Sequence, residues 1–142
     1  MIKHLKYGAA LAALAFVTVP ALAQEEPEEQ RTTYEIRFLD LAPGADEEWM
    51  ETLEKHYLPA RAAAGLPAPE VHWITAGPWD IMMLLEMPDG MATMDSHNPR
   101  LGVAFREALL AQEGSEEAVK ALTEKSSKHV TRSNSYYSHT HP

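Results

Sequence analysis

The chain has no cysteine. Disulfide staples, thiolate nucleophiles and thiolate-held metals are therefore excluded, and the fold must rest on its core or on self-association. Positive charge is also scarce. Twelve Lys and Arg stand against 21 Asp and Glu, a formal net charge of −9. Nucleic acids and anionic membranes are recognised through clustered Lys and Arg, so neither is an expected partner. Long apolar runs are missing after residue 23. The motifs of nucleotide and hydrolase chemistry are missing as well: there is no Gly-rich phosphate loop, no His-Glu-x-x-His and no Gly-x-Ser-x-Gly. No cofactor is expected.

The N-terminus carries an address. Lys3, His4 and Lys6 precede an apolar run from Gly8 to Val19, and Pro20-Ala21-Leu22-Ala23 supplies small residues before Gln24. That order is that of a secretory signal peptide with cleavage after Ala23. The run is shorter than the roughly 20 residues a membrane span needs, so no stable membrane insertion is expected after cleavage. Removing residues 1–23 leaves 10 basic and 21 acidic side chains, a formal charge of −11. A periplasmic or secreted location is expected. Residues 24–33, QEEPEEQRTT, read as a flexible acidic leader, and residues 34–142 as one domain.

Within that domain the hydrophobic period alternates between two and three-to-four. Tyr34 to Leu41 alternates as a strand, with Tyr34, Ile36 and Phe38 on one face and Glu35, Arg37, Leu39 and Leu41 on the other. Asp46 starts a helix whose apolar stripe is Trp49, Met50, Leu53, Tyr57 and Ala60, with a kink or break expected at Pro59. Val71 to Ala76 and Trp79 to Met87 read as two antiparallel strands about a Gly77-Pro78 turn. Asn98-Pro99 reads as an N-cap and first helical residue, opening a helix that turns Leu101, Phe105, Ala108 and Leu109 inward and stops at Gly114. Ser115 restarts a second piece, and Lys128 to Ser138 is the last strand. This βαββαβ order predicts a ferredoxin-like α+β fold, a four-stranded antiparallel sheet with both helices on one face. The bare face predicts a homodimer.

Gly77-Pro78-Trp79-Asp80 leading into an apolar third strand, in an exported βαββαβ chain, resembles the dimeric α/β-barrel proteins. Within that superfamily it is most similar to the NIPSNAP-like and antibiotic-biosynthesis-monooxygenase-like members, where a β2–β3 turn of the form Gly-x-Trp/Tyr-Asp precedes a hydrophobic strand. The resemblance spans roughly Tyr34 to Tyr137. It implies two sheets packed face to face in a dimer, with a pocket in each protomer between sheet and helices. Some members oxygenate, isomerise or cyclise aromatic compounds without a cofactor, and others bind haem.

The candidate site residues follow from chemistry and position. A small hydrophobic or aromatic ligand would be walled by Trp49, Tyr57, Trp73 or Trp79, with His97 and Arg100 at a mouth. Trp79 shares a face with Ile81, Met83, Leu85 and Met87 if it begins its strand, and there it would cover the end of the core. Asp80 is placed to accept from turn amides. His56, at the edge of the helix stripe, and His72, on the second strand, are the candidate general bases of an enzyme alternative. A third reading takes His139 and His141 with Met82, Met83, Met87, Met91 and Met94 as ligands for copper or zinc.

Overall fold

The computed structural model describes residues 31–141. The expected signal peptide and most of the acidic leader lie outside them. The leader's last residues do not: Thr33 opens the first strand, and Thr32 exchanges hydrogen bonds with Thr140. Strand pairing therefore begins ahead of Tyr34, because the C-terminal strand is long enough to hold it.

Strands β1 (Thr33–Leu41), β2 (Glu70–Trp73), β3 (Ile81–Met87) and β4 (Val130–His139) form one sheet in the order β2-β3-β1-β4, every neighbouring pair antiparallel. Apolar β1 and β3 take the centre. The outer strands are short in β2 and rich in Ser, Thr and Asn in β4, which suits an edge. Helices α1 (Asp46–Thr52), α2 (Leu58–Ala63), α3 (Arg100–Glu113) and α4 (Glu116–Lys128) connect the strands. The element order is the ferredoxin-like one expected.

The faces of β1 are reversed from the simplest reading of its pattern. Arg37 pairs with Met83, Leu39 with Ile81 and Leu41 with Val130, and this side meets the helices: Leu39, Ile81, Met83 and Leu85 form a core cluster with Trp49 and Leu53. Tyr34, Ile36 and Phe38 lie on the face without helices, beside Met82, Leu84 and Tyr136. Both faces of the central strands thus carry large apolar side chains.

Pro59 leaves its mark one turn upstream. It has no N–H to donate, and the preceding residues Leu53–Tyr57 widen into a π turn, with the Leu58 amide donating to the Leu53 carbonyl. The helical path continues through α2 instead of breaking, and Arg61 on α2 turns back to donate to the Pro67 carbonyl from Nε and Nη2, at 3.1 and 2.8 Å. At α3 the N-cap is Pro99, without a side-chain cap, so the helix begins one residue later than the Asn98 cap predicts. Gly114 closes α3 at φ +85, a conformation in which a Cβ would be strained, and Ser115 caps α4 by accepting from the Ala118 amide at 3.1 Å.

The β2–β3 link is longer than a Gly-Pro turn alone. Both strands are trimmed, residues 74–80 bend between them, and the Ile74 amide donates to the Asp80 carbonyl. Trp79 therefore precedes β3 and does not share the face of Ile81. Its ring lies 5.9 Å from that of Phe38, with the Arg132 guanidinium 4.1 Å from its centroid, so it covers the helix-free face. The Asp80 carboxylate accepts from the Leu41 amide of β1 at 2.8 Å, which ties the link to the central strand and leaves the turn's own amides aside. Among the described residues no helix is long and apolar enough to cross a membrane.

Candidate functional site: a cavity between sheet and helices

The core is split. One cluster centres on Ile81, Met83 and Trp49; a second joins Ala60, Leu109 and Leu122 from α2, α3 and α4. Tyr57 packs against both. Where the clusters part, a cavity of about 620 Å³ opens between the sheet and the helices. Sheet residues Leu39, Met83 and Leu85 form its floor, Trp49, Leu53 and Tyr57 one wall, and Leu101 and Phe105 another. Pro88, Thr93, Met94 and Pro99 border it near the 3₁₀ segment Gly90–Asp95. Most of this lining is apolar.

Charge enters from the sheet and from α2. Arg37 donates through Nε and Nη2 to Glu35 Oε1, at 3.0 and 2.7 Å, and the Ser135 hydroxyl donates to the same oxygen at 2.8 Å. Arg61 also lines the cavity. Burial, and then the nearby Arg37 charge, push the Arg61 guanidinium below its ordinary pKa, with Glu35 acting in the opposite direction. Tyr57 Oη and Ser126 Oγ share a hydrogen bond of 2.9 Å at the α4 side.

The residues singled out from the sequence divide by location. Trp49, buried, and Tyr57 line the cavity. Trp73 meets Trp49 edge-on at 6.2 Å but stands outside the cavity, 48 % exposed, over a shallow acidic depression formed by Asp46, Glu47, Glu51 and Glu54. Trp79 is on the opposite sheet face. His97 is exposed in the loop before α3, and Arg100 is exposed and bonded to Asp89 Oδ1 at 3.0 Å.

Neither candidate base reaches the cavity. His56 Nδ1 donates to Glu113 Oε1 at 2.7 Å, and Gln112 reaches the His56 carbonyl, so this imidazole joins the π turn to the end of α3. His72 is on the helix-free face, with Nε2 2.8 Å from Glu70 Oε1 in an alignment that makes no hydrogen bond. In the tail, His139 and His141 approach to 3.2 Å between their Nε2 atoms. The methionines do not converge there: Met83 is in the core, Met82 on the opposite sheet face, Met87 and Met94 at the cavity, and Met91 exposed. Among the described residues no group of three His, Asp or Glu side chains is arranged to hold a metal.

The sequence reading passed over Glu35, Arg37 and Arg61. The signal was present in β1, where charged residues occupy the same alternating face as Leu39. It also passed over His129, buried between α4 and β4, whose Nε2 lies 3.0 Å from Glu48 Oε2 while its carbonyl accepts from Ala42. That histidine locks the start of α1 to the start of β4, away from the cavity.

The His56–Glu113 contact has a pH signature. Hydrogen bonds from His56 and then Gln112 hold the Glu113 carboxyl below the ordinary carboxylate range. A carboxyl with a lower pKa folded than unfolded contributes stability above its unfolded pKa and loses it as pH falls through the folded value. Glu113→Gln should therefore lower the urea midpoint near neutral pH, and its deficit relative to the parent should close as the pH drops below the usual carboxylate range. A deficit independent of pH would mean that the Glu113 charge is not involved.

No family model matches the chain, and no curated protein matches it in sequence. Solved structures do match. A NIPSNAP family protein of unknown function from Agrobacterium tumefaciens superposes at a TM-score of 0.51 and 15 % identity, over 77 % of this chain and 87 % of that one. An uncharacterised NIPSNAP domain protein from Burkholderia xenovorans superposes at 0.50 and 13 % identity, over 75 % and 91 %. A dimeric ferredoxin-like protein from an uncultured marine organism gives 0.50 and 17 % identity, over 80 % and 90 %. At these identities the likeness concerns the backbone. The resemblance noted in the sequence thus holds at the level of architecture: this chain has the ferredoxin-like fold of the NIPSNAP-like proteins.

Proposed function

We propose that the mature protein is an exported homodimer that binds a small, largely apolar molecule between its sheet and helices. The observation that carries this reading is the cavity of about 620 Å³, whose walls are mainly Leu, Met, Trp, Tyr and Phe. Its size lies within the several-hundred-Å³ range of small-molecule sites, and so does its pattern of apolar walls with a few polar groups. Export is supported by the order of residues 3–23. Self-association is supported by the helix-free face, where Ile36, Phe38, Met82 and Leu84 lie together, and by the dimeric state named for the marine ferredoxin-like protein. Among the described residues no histidine lines the cavity, and this reading assigns the cavity binding.

The neutral fluorophore N-phenyl-1-naphthylamine tests the cavity directly. The expected result is saturable emission enhancement with one site per chain. Thr123 lines the cavity from an exposed position on α4, so Thr123→Trp should fill space without disturbing the core. This variant should bind the probe at least tenfold more weakly, a loss of about 1.4 kcal/mol or more. Unchanged binding in Thr123→Trp, or no saturable binding in the parent, would overturn the reading.

A further inference from the structure

Building on the cavity as a binding site, we infer that its ligand is an amphipathic monoanion, a carboxylate with an apolar body whose head is held by Arg61 and Arg37.

The argument is one of charge balance. Three charged side chains project from the helix side of the sheet and from α2 towards this space: Glu35, Arg37 and Arg61. Glu86 also borders the cavity, but it pairs with Tyr34 and so belongs by alternation to the opposite sheet face. The carboxylate of Glu35 is engaged by Arg37 and by Ser135. That leaves Arg61, only partly exposed, with no carboxylate partner: its two protein hydrogen bonds run to one backbone carbonyl, that of Pro67. Charges withdrawn from water are normally paired, since a neutral carbonyl replaces only part of the lost solvation. Here a second guanidinium stands near the first, and each leaves Nη1 without a protein acceptor among the described residues. Counting the three side chains on the helix side, Glu35, Arg37 and Arg61, this part of the lining carries one positive charge inside a chain of net charge −9.

An anion held there supplies the acceptor that Arg61 lacks and offsets the repulsion that the Arg37 charge exerts on it. Guanidinium groups suit a carboxylate because their planar N–H pairs match its two oxygens. The remaining lining fixes the rest of the ligand. Leu53, Met83, Leu85 and Phe105 offer no hydrogen bonds to a polar body and Trp49 at most one, so an alkyl chain or fused ring fits this part of the lining better than a sugar does. A dianion would leave one charge unmatched. The acidic exterior lowers the local concentration of anions, so selection has to come from inside the cavity.

Isothermal titration of the full mature chain with sodium decanoate and with decan-1-ol separates head from tail. Decanoate should bind at least tenfold more tightly than the alcohol near neutral pH. Arg37→Gln and Arg61→Gln should each shrink that preference by threefold or more, chiefly by weakening decanoate binding, and an unchanged preference in Arg37→Gln would overturn the anion assignment. Arg61 also fastens the connector at Pro67, so Arg37→Gln serves as the independent variant if Arg61→Gln does not fold. Equal affinity for acid and alcohol, or preference for the alcohol, would overturn the anion assignment and leave the cavity reading standing. Binding of neither decanoate, decanol nor the fluorophore would overturn both.

Discussion

Phe38→Asp should convert the proposed homodimer to a monomer in sedimentation equilibrium, with a dimer dissociation constant raised roughly a thousandfold, about 4 kcal/mol. Phe38 is central on the helix-free face, between the rings of Trp79 at 5.9 Å and Tyr136 at 6.0 Å. Ile36, Met82 and Leu84 complete an apolar surface across the two inner strands. In a face-to-face dimer a carboxylate at this position would be withdrawn from water among apolar side chains, and the nearby Arg132 is already bonded to Asp40 at 2.7 Å. The substitution points away from the Ile81 core, so the folded monomer should keep its circular dichroism. A parent chain that sediments as a monomer at high concentration, or a Phe38→Asp variant that remains dimeric, would remove the sheet face from the assembly.

On the opposite face the largest expected loss is of folding stability. Ile81 is fully buried, flanked by Leu39, Trp49, Leu53 and Met83. Ile81→Ala removes buried methylenes and leaves a void that the surrounding large side chains cannot close, a cost of about 4 kcal/mol. That is a large share of the roughly 5–15 kcal/mol that holds a domain folded. The urea midpoint should fall sharply with an unchanged slope. Met82→Ala, one residue along but on the helix-free face, should cost the monomer far less and weaken association instead. Similar losses from both substitutions would mean that the two faces are not energetically distinct.

This pairing of neighbours with separate roles explains what could be read from the sequence. The 3.6-residue stripe of Trp49, Leu53 and Tyr57 located the cavity wall, because a helix against a sheet can bury only one face. The alternation of β1 gave a strand, but Tyr34, Ile36 and Phe38 are more apolar than Glu35, Arg37 and Leu39, and apolar normally means core. Here the helix-covered side lines an open cavity, which tolerates charge, and the apolar side is the one that carries no helix. Alternation gives two faces and cannot say which one the helices cover. The arginines were passed over for the same reason. Arg37 looked like a solvated strand residue, and Arg61 like polar filling in an alanine-rich helix end. Trp79 misled because the strand begins two residues later, at Ile81, which frees the ring to turn to the other side. His129 belongs to no periodic run at all, and only the chain crossing between α4 and β4 brings it to Glu48.

The π turn at Leu53–Tyr57 amounts to one residue more than a regular helix would hold over the same path. Each helical residue advances the azimuth by about 100°. Wound as an unbroken α-helix, the same sequence would turn everything downstream of Glu54 by that much against everything upstream, and Arg61 would swing away from the space that Trp49 faces. Absorbing the surplus residue in one wide turn keeps the aromatic wall and the Arg61 end of the cavity in phase. Deleting Glu54 should therefore restore a regular helix and leave that wall in place, whereas a second inserted residue, with no further wide turn to take it up, would rotate Tyr57 and Arg61 out of register with Trp49.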